Sequence, residues 1–449
     1  MDNKEESTLG GAAAKVRLVT VYFFVIMLIG LLTNLGSQLL DTSRALYVQS
    51  LGGSASFTGL LLTATAGSAT VARIFTGRTS DKRGRRGLII IGSLVFAVAA
   101  ASFSFLPFLA AFPAICLVRG AGMSMSSTAI SIAITDVIPK ERMGEGLGYY
   151  GLAMPLTNVV GPAITTGLIA KGNFKTIHYI AAALILAVAV IMYFCNYEKD
   201  ARFVKEGNSA LEPEQAPGRK RVWNQKNEPA APERKVIEPS GEPEAVAEKK
   251  GDTPSGIAAY FEKSALPCSV IQLFISIAQG ANLTFLMAYA FFIGVPNPVL
   301  YYTLSAVFMV SLRVFTGRLA DRVKPVILIV FGIFFNIAAF VLLMSAPGSY
   351  TLFYLAGVSA GIASGINGPV MQATVVRMSP EARRGAAMAT YTFPMDLGFA
   401  IGSFIWGVVL DSSGYLEMYT GCVGCLVIAI ALTVILLRKV APARSAADL

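Results

Sequence analysis

The chain has 449 residues, of which 54% are hydrophobic and only 14% charged, whereas a soluble domain carries about a quarter charged residues. With a mean hydropathy of +0.61, this composition excludes an ordinary soluble globular protein and requires a polytopic membrane one. A formal net charge of +10 would raise nucleic acid as a partner in a soluble chain. Here the basic residues sit in short loops between apolar runs, so they read as orientation signals and no nucleic-acid partner is expected.

Residues 1–17 form a polar tail without a small-residue cleavage site, and the apolar run that follows is too long for a signal-peptide core. That run is therefore expected to be the first permanent span. On a ruler of roughly 20 mostly apolar residues per crossing, the half 18–196 gives six spans, near 18–47, 55–78, 87–107, 109–136, 146–170 and 177–196. The half 263–437 gives six more, near 265–294, 298–319, 325–346, 350–377, 386–410 and 416–437. Between them, residues 197–262 turn polar, with Pro213, Pro217, Pro229, Pro232, Pro239, Pro243 and Pro254 among many Glu, Lys and Arg. Such a segment buries too little apolar surface to fold alone and reads as a flexible cytoplasmic linker. Residues 438–449 form a second tail.

Charge asymmetry sets the expected orientation. Lys15, Arg17, the cluster from Arg78 to Arg86, Lys140, Arg142, Arg318, Arg322, Lys324, Arg383, Arg384, Arg438 and Lys439 fall on one side, and Lys171 and Lys175 with Asp411 and Glu417 on the other. Both termini are therefore expected to be cytoplasmic.

The chain is a duplication. Arg73-Ile74-Phe75-Thr76-Gly77-Arg78-Thr79-Ser80-Asp81 returns 240 residues later as Arg313-Val314-Phe315-Thr316-Gly317-Arg318-Leu319-Ala320-Asp321. Pro139-Lys140-Glu141-Arg142-Met143-Gly144 returns as Pro380-Glu381-Ala382-Arg383-Arg384-Gly385, at an offset of 241. The first copy places Gly77, Asp81, Gly84, Arg85 and Arg86 between two spans, where glycine permits close helix approach and Asp81 can accept from helix-end N–H groups or from the arginines. This G-x-x-x-D-x-x-G-R-R pattern resembles the loop signature of the major facilitator superfamily, the 12-helix secondary transporters. The second copy lacks the glycine and the paired arginines.

The resemblance implies an all-α membrane fold of 12 transmembrane helices in two six-helix pseudo-symmetric halves, with a central cavity between parallel repeats. It also implies that Gly77, Asp81, Gly84, Arg85 and Arg86, with Asp136 and Asp321, act as a conformational latch. In the fifth span, Gly151, Pro155, Asn158 and Gly161-Pro162 resemble the signature of proton-coupled exporters, with Thr157 in place of its first glycine and Thr165-Thr166 where its glycine pair would stand. Pro155 and Pro162 each remove a backbone hydrogen bond and permit a kink there.

No phosphate-binding G-x-x-x-x-G-K-[ST] loop and no His/Cys cluster with metal-ligand spacing is present. Neither an enzyme, a cofactor nor a metal is expected, and the lone His178 falls at an outer helix end. Five scattered cysteines, including Cys422-x-x-Cys425, are too few for a disulfide framework.

Charged groups inside spans mark candidate sites, since lipid tolerates them only beside a partner or a watery cavity. Arg119 reads as a proton-relay or substrate-carboxylate contact, against an arginine snorkelling to the headgroups. Asp41 and Arg44, three apart on one helix face, form either a local ion pair or a site in which Asp41 titrates beside Arg119. Asp396 sits in mid-span with no cation on its own helix, which suits a group that binds and releases a proton. The other reading is a buried aspartate tying two helices together. Arg44 and the amides Asn34, Gln38, Asn158, Gln272, Gln279, Asn282, Asn367 and Gln372 are candidates for cavity lining, and some of the amides for bonds between neighbouring helices.

The resulting expectation is a monomeric secondary transporter of the bacterial inner membrane. It resembles the drug:proton antiporter-like branch and would export a small organic molecule against protons by alternating access. A proton-coupled nutrient importer and a transporter-like sensor stay open as alternatives.

Overall fold

The computed structural model of the protein describes residues 20–106, 108–139, 142–199, 262–380 and 383–438. The expectations for both tails, for 200–261 and for the side chains of Gly77, Asp81 and Asp321 lie outside the described residues. Among the described residues are twelve α-helices of 20 residues or more and no strand. The first six are α1 (Val21–Ser50), α2 (Ala55–Arg83), α3 (Arg86–Phe105), α4 (Phe112–Val137), α5 (Met143–Ile169) and α6 (Phe174–Phe194). After 200–261 come α7 (Leu266–Phe292), α8 (Val299–Arg322), α9 (Pro325–Met344), α10 (Tyr350–Met378), α11 (Arg384–Ser412) and α12 (Tyr415–Leu437). Each expected span coincides with one helix to within five residues at either end.

Ten of the helices are long and apolar enough to cross a membrane, and large apolar side chains such as Val98, Phe105, Phe194 and Ile435 stand exposed, as hydrocarbon surroundings permit. This is a multi-pass membrane protein. The other two helices are diluted by polar or small residues. In α8 the apolar segment stops at Val299–Arg313, and α10 carries Gly357, Ser359, Gly361, Ser364, Gly365, Asn367, Gly368 and Gln372.

Helix ends follow local chemistry. Thr20 caps α1, its Oγ1 accepting from the Phe23 N–H at 3.1 Å, and α4, α7 and α9 each begin with a proline in the first turn, where its missing N–H costs nothing. Gly84 turns α2 into α3 at φ +82°, a conformation that side-chain-bearing residues rarely adopt. The second copy dispenses with that glycine because Lys324 is extended and Pro325 opens α9.

Helices α1–α6 and α7–α12 repeat the same five pairings: α2 on α4, α3 on α4, α3 on α6, α1 on α6 and α1 on α5 recur as α8 on α10, α9 on α10, α9 on α12, α7 on α12 and α7 on α11. Individual contacts recur too. The Tyr47 hydroxyl donates to the Phe103 carbonyl at 2.9 Å, and the Tyr289 hydroxyl to the Leu343 carbonyl at 2.6 Å. Gly120 lies against the Thr65 carbonyl as Gly361 lies against that of Ser305.

The two sets meet through α1 on α7, α2 on α11 and α5 on α8. Towards the end of the bundle remote from Gly84, α2 and α11 form a close seam. A Cβ on Gly59 would stand 2.2 Å from the Ser403 carbonyl oxygen, and one on Gly407 2.5 Å from that of Ala55. Thr63 donates to the Ala400 carbonyl at 2.8 Å. Asp411 of α11 accepts from the backbone N–H of Ala55 and Ser56 at 2.8 and 2.7 Å, so it caps the positive end of α2 from across the interface.

Forcing a larger side chain into a filled contact costs about 1–3 kcal/mol, so Gly59→Val is expected to part the seam. A cysteine at Ser56 should then react faster with a membrane-impermeant maleimide than in the parent protein; unchanged labelling would show that the seam tolerates separation elsewhere.

Candidate functional site

A cavity of about 180 Å³ opens between the two sets of helices. Its polar walls are Ser37 and Asp41 from α1, Thr65 and Arg73 from α2, Arg119 from α4 and Asp396 from α11. A larger hollow of about 560 Å³ lies near the α2–α11 seam, where the one carboxylate is Asp411, already engaged by α2.

Arg119 is only 1% exposed. Its Nη2 donates to Asp41 Oδ1 at 2.8 Å and to Ser37 Oγ at 3.2 Å, and its guanidinium carbon stands 5.8 Å from the centre of the Phe96 ring. Arg44, also buried, pairs with the same Asp41 oxygen, while Ser37 Oγ donates to Asp41 Oδ2 at 3.0 Å. In this cluster a single carboxylate faces two guanidiniums. The cluster carries one surplus positive charge.

Asp396 is not alone. Arg73 reaches it from α2, with Nη1 2.6 Å from Oδ2, so the carboxylate that lacks a cation on its own helix receives one from the other set. The pair is partly solvated, at 45% and 23% side-chain exposure. Arg73 was missed by the sequence reading, although it heads the repeated stretch and falls inside a span, the signal that singled out Arg119. Its counterpart Arg313 on α8 stands exposed. By the offset of 241, the counterpart of Asp396 is the uncharged Pro155.

Around Gly84 the expected latch is rearranged. Arg85 Nε lies 3.2 Å from Asp136 Oδ2, but Arg86 spends its donors on α6, with Nε on the Met192 carbonyl at 3.0 Å and Nη2 on that of Tyr193 at 2.5 Å. A helix's last carbonyls attract a cation, so Arg86 ties the start of α3 to the end of α6. Glu198, absent from the sequence expectation, accepts from the N–H of Arg85 at 2.6 Å and of Arg86 at 3.1 Å. Beyond 200–261, Glu262 pairs instead with the Arg383 guanidinium, at 3.0 Å.

None of the eight amides expected as cavity lining touches the cavity of about 180 Å³. Gln38 donates to Asn158 between α1 and α5, where Gly161 packs against the Gln38 side chain. Asn34 bonds its own helix at the Gly30 carbonyl, 2.8 Å away. Gln272 donates to Ser276 and accepts from Tyr391, and Asn367 is buried against Gly332. Gln279 and Asn282 are half-buried on α7, and Gln372 is exposed on α10. An amide within a span binds whatever neighbour saves it from hydrocarbon, and here those neighbours are mostly helices. Helix α5 runs from Met143 to Ile169 through Pro155 and Pro162. Among the described residues no three His, Cys, Asp or Glu are placed to hold a metal ion.

Comparison with known proteins agrees with the helix arrangement and with the loop motif. The sequence matches the Major Facilitator Superfamily over residues 26–349 and 274–448. The chain belongs to that superfamily. It is 22% identical to the staphylopine export protein of Staphylococcus aureus over 318 residues, 70% of each chain. To the quinolone resistance protein NorA of the same species it is 26% identical over 196 residues, 44% of this chain and 49% of that one. Among solved structures, the nucleoside transporter NupG superposes with a TM-score of 0.69 at 12% identity, covering 94% of this chain and 100% of that one. This superfamily member is a membrane transporter with export and drug-resistance proteins among its relatives, and not an enzyme.

Removing one partner from a buried ion pair costs about 3–5 kcal/mol, whereas an exposed pair contributes about 0–1 kcal/mol. Arg119→Ala is therefore expected to lower the apparent melting temperature in detergent much more than Arg73→Ala. The reverse order would move the structural anchor to the wrong pair.

Proposed function

We propose that the protein is a proton-coupled exporter of a small organic molecule, working by alternating access in the bacterial inner membrane as a monomer with both termini cytoplasmic. All twelve helices are taken as spans, in two six-helix halves that rock about the central cavity. The observation that carries this reading is the Arg73–Asp396 pair, an ionic bond between the halves in the cavity wall. A proton taken up by Asp396 removes its charge and with it the attraction to Arg73, so the α2–α11 contact weakens at that level. Loss of the proton restores the bond. Binding and release of a proton thus acquire opposite mechanical effects, as coupling requires.

The Asp41 cluster supplies the second element. With Arg44 and Arg119 against one carboxylate, an anionic group entering the cavity can compete with Asp41 for the edge of Arg119, or Asp41 can be protonated to free that edge. Either event links the protonation state of Asp41 to occupancy of the cavity. The exporters among the relatives support outward movement. Arg85, Asp136 and Glu198 would hold the α2–α3 loop to α4 and to the segment after α6 while the halves move.

In inside-out proteoliposomes with an acid lumen, substrate should accumulate inside as protons leave. Movement of both in one direction would make the protein an importer. Asp396→Asn should lower gradient-driven uptake by at least about tenfold, or ~1.4 kcal/mol, and should affect substrate counterflow less. Equal losses in both assays would remove Asp396 from coupling.

A further inference from the structure

Behind Arg119, on the side away from the central cavity, lies a second and much smaller cavity of about 10 Å³. Arg119 lines both. The Nη2 edge serves Asp41 and Ser37. Nε, on the same guanidinium, is buried without a hydrogen-bond partner among the described residues. The small cavity is also lined by His178 from the second turn of α6 and by Arg44 and Tyr47 from α1. His178 is 3% exposed and its Nδ1 too is buried without a partner among the described residues. The imidazole lies against two rings, 4.7 Å from Tyr47 and stacked 5.5 Å from Phe103.

We infer that this cavity is a single-water site joining His178 to Arg119, and that His178 is a positioning residue that carries the protonation state of the far end of the bundle to the Asp41 cluster. About 10–15 Å³ and two to four polar partners are what one buried water needs. Here the water accepts from Arg119 Nε–H and donates to His178 Nδ1. Arg44 offers a further donor, and the Tyr47 oxygen, whose proton goes to the Phe103 carbonyl, a further acceptor.

A proton arriving on Nδ1 turns that acceptor into a donor, so the water must reverse. It also brings a third positive charge to a pocket where Arg44 and Arg119 already face one carboxylate. Arg119 is thereby loosened from behind and its other edge freed towards the central cavity. Facing His178 are Arg44 and Tyr47 of α1, Arg119 of α4, and from α3 the uncharged Phe103. The site stands on geometry, and its consequence for transport rests on the proton-coupled reading above.

His178 is the only histidine in the chain, so protein labelled with 15N-histidine and placed in lipid nanodiscs gives one assigned imidazole. The expected result is a contact between its ring nitrogen and exchangeable water, and a titration midpoint that moves in Asp41→Asn and in Arg119→Lys. A ring without water contact, or one whose titration ignores both variants, would overturn the inference. In proteoliposomes, His178→Gln should flatten the dependence of gradient-driven transport on pH. An unaltered pH profile would reject the functional role. Should the parent protein move substrate without protons while the imidazole still responds to Asp41→Asn, the water site stands and the antiport reading fails.

Discussion

A guanidinium placed inside a span needs an opposite charge, or the surrounding hydrocarbon expels it. Arg119 meets that condition through Asp41, Ser37 and the face of Phe96, and most of the functional geometry follows from this one requirement. Asp41 must stand two turns before the end of the long α1 helix, α4 must bring Arg119 across from the other side, and Gly120 must be small enough for α4 to lie against the Thr65 carbonyl of α2. Arg44 then adds charge that the cluster does not neutralise.

The repeat explains where function is placed. The two sets of helices share their pairings and details such as the tyrosine-to-carbonyl bonds of Tyr47 and Tyr289. At the offset that relates those tyrosines, Asp41 and Arg44 become Leu283 and Leu286, and at an offset of 241 Arg119 and His178 become Ala360 and Tyr419. The second copy is an apolar version of the first at these positions. It contributes Asp396 instead, whose own counterpart is Pro155. Two halves with the same packing and different charges can rock on a common frame while only one holds the buried cluster, so the asymmetry resides in side chains and not in the backbone.

The twelve helices were legible because hydrophobic run length is read directly from sequence, and Asp41, Arg119 and Asp396 because ionised groups stand out in apolar runs. Arg73 and Glu198 were not. Their partners, Asp396 and the N–H groups of Arg85 and Arg86, are distant in sequence, and pairing across helices depends on rotation about each helix axis, which composition does not encode. The amides failed as cavity markers for the related reason that Gln38 with Asn158, or Gln272 with Tyr391, look identical in sequence whether they face water or each other.

A machine that moves as two bodies needs strong contacts within each body and weak ones between them. The buried pairs of Asp41 with Arg44 and Arg119 belong to one half, as do the Arg85–Asp136 and Arg86–α6 bonds. Across the interface the bonds are of another kind. Asp411 on the α2 amides is a surface cap, worth about 0.5–2 kcal/mol, and Arg73–Asp396 is half open to solvent. The glycine seam adds close fit without bulky side chains to disengage, since Gly59 and Gly407 present backbone to backbone. Each interfacial contact is therefore within the range that one proton, or the binding of one small molecule, can offset. Under the proposed mechanism, that modest scale would let a change of charge at Asp396 move helices and leave each half intact.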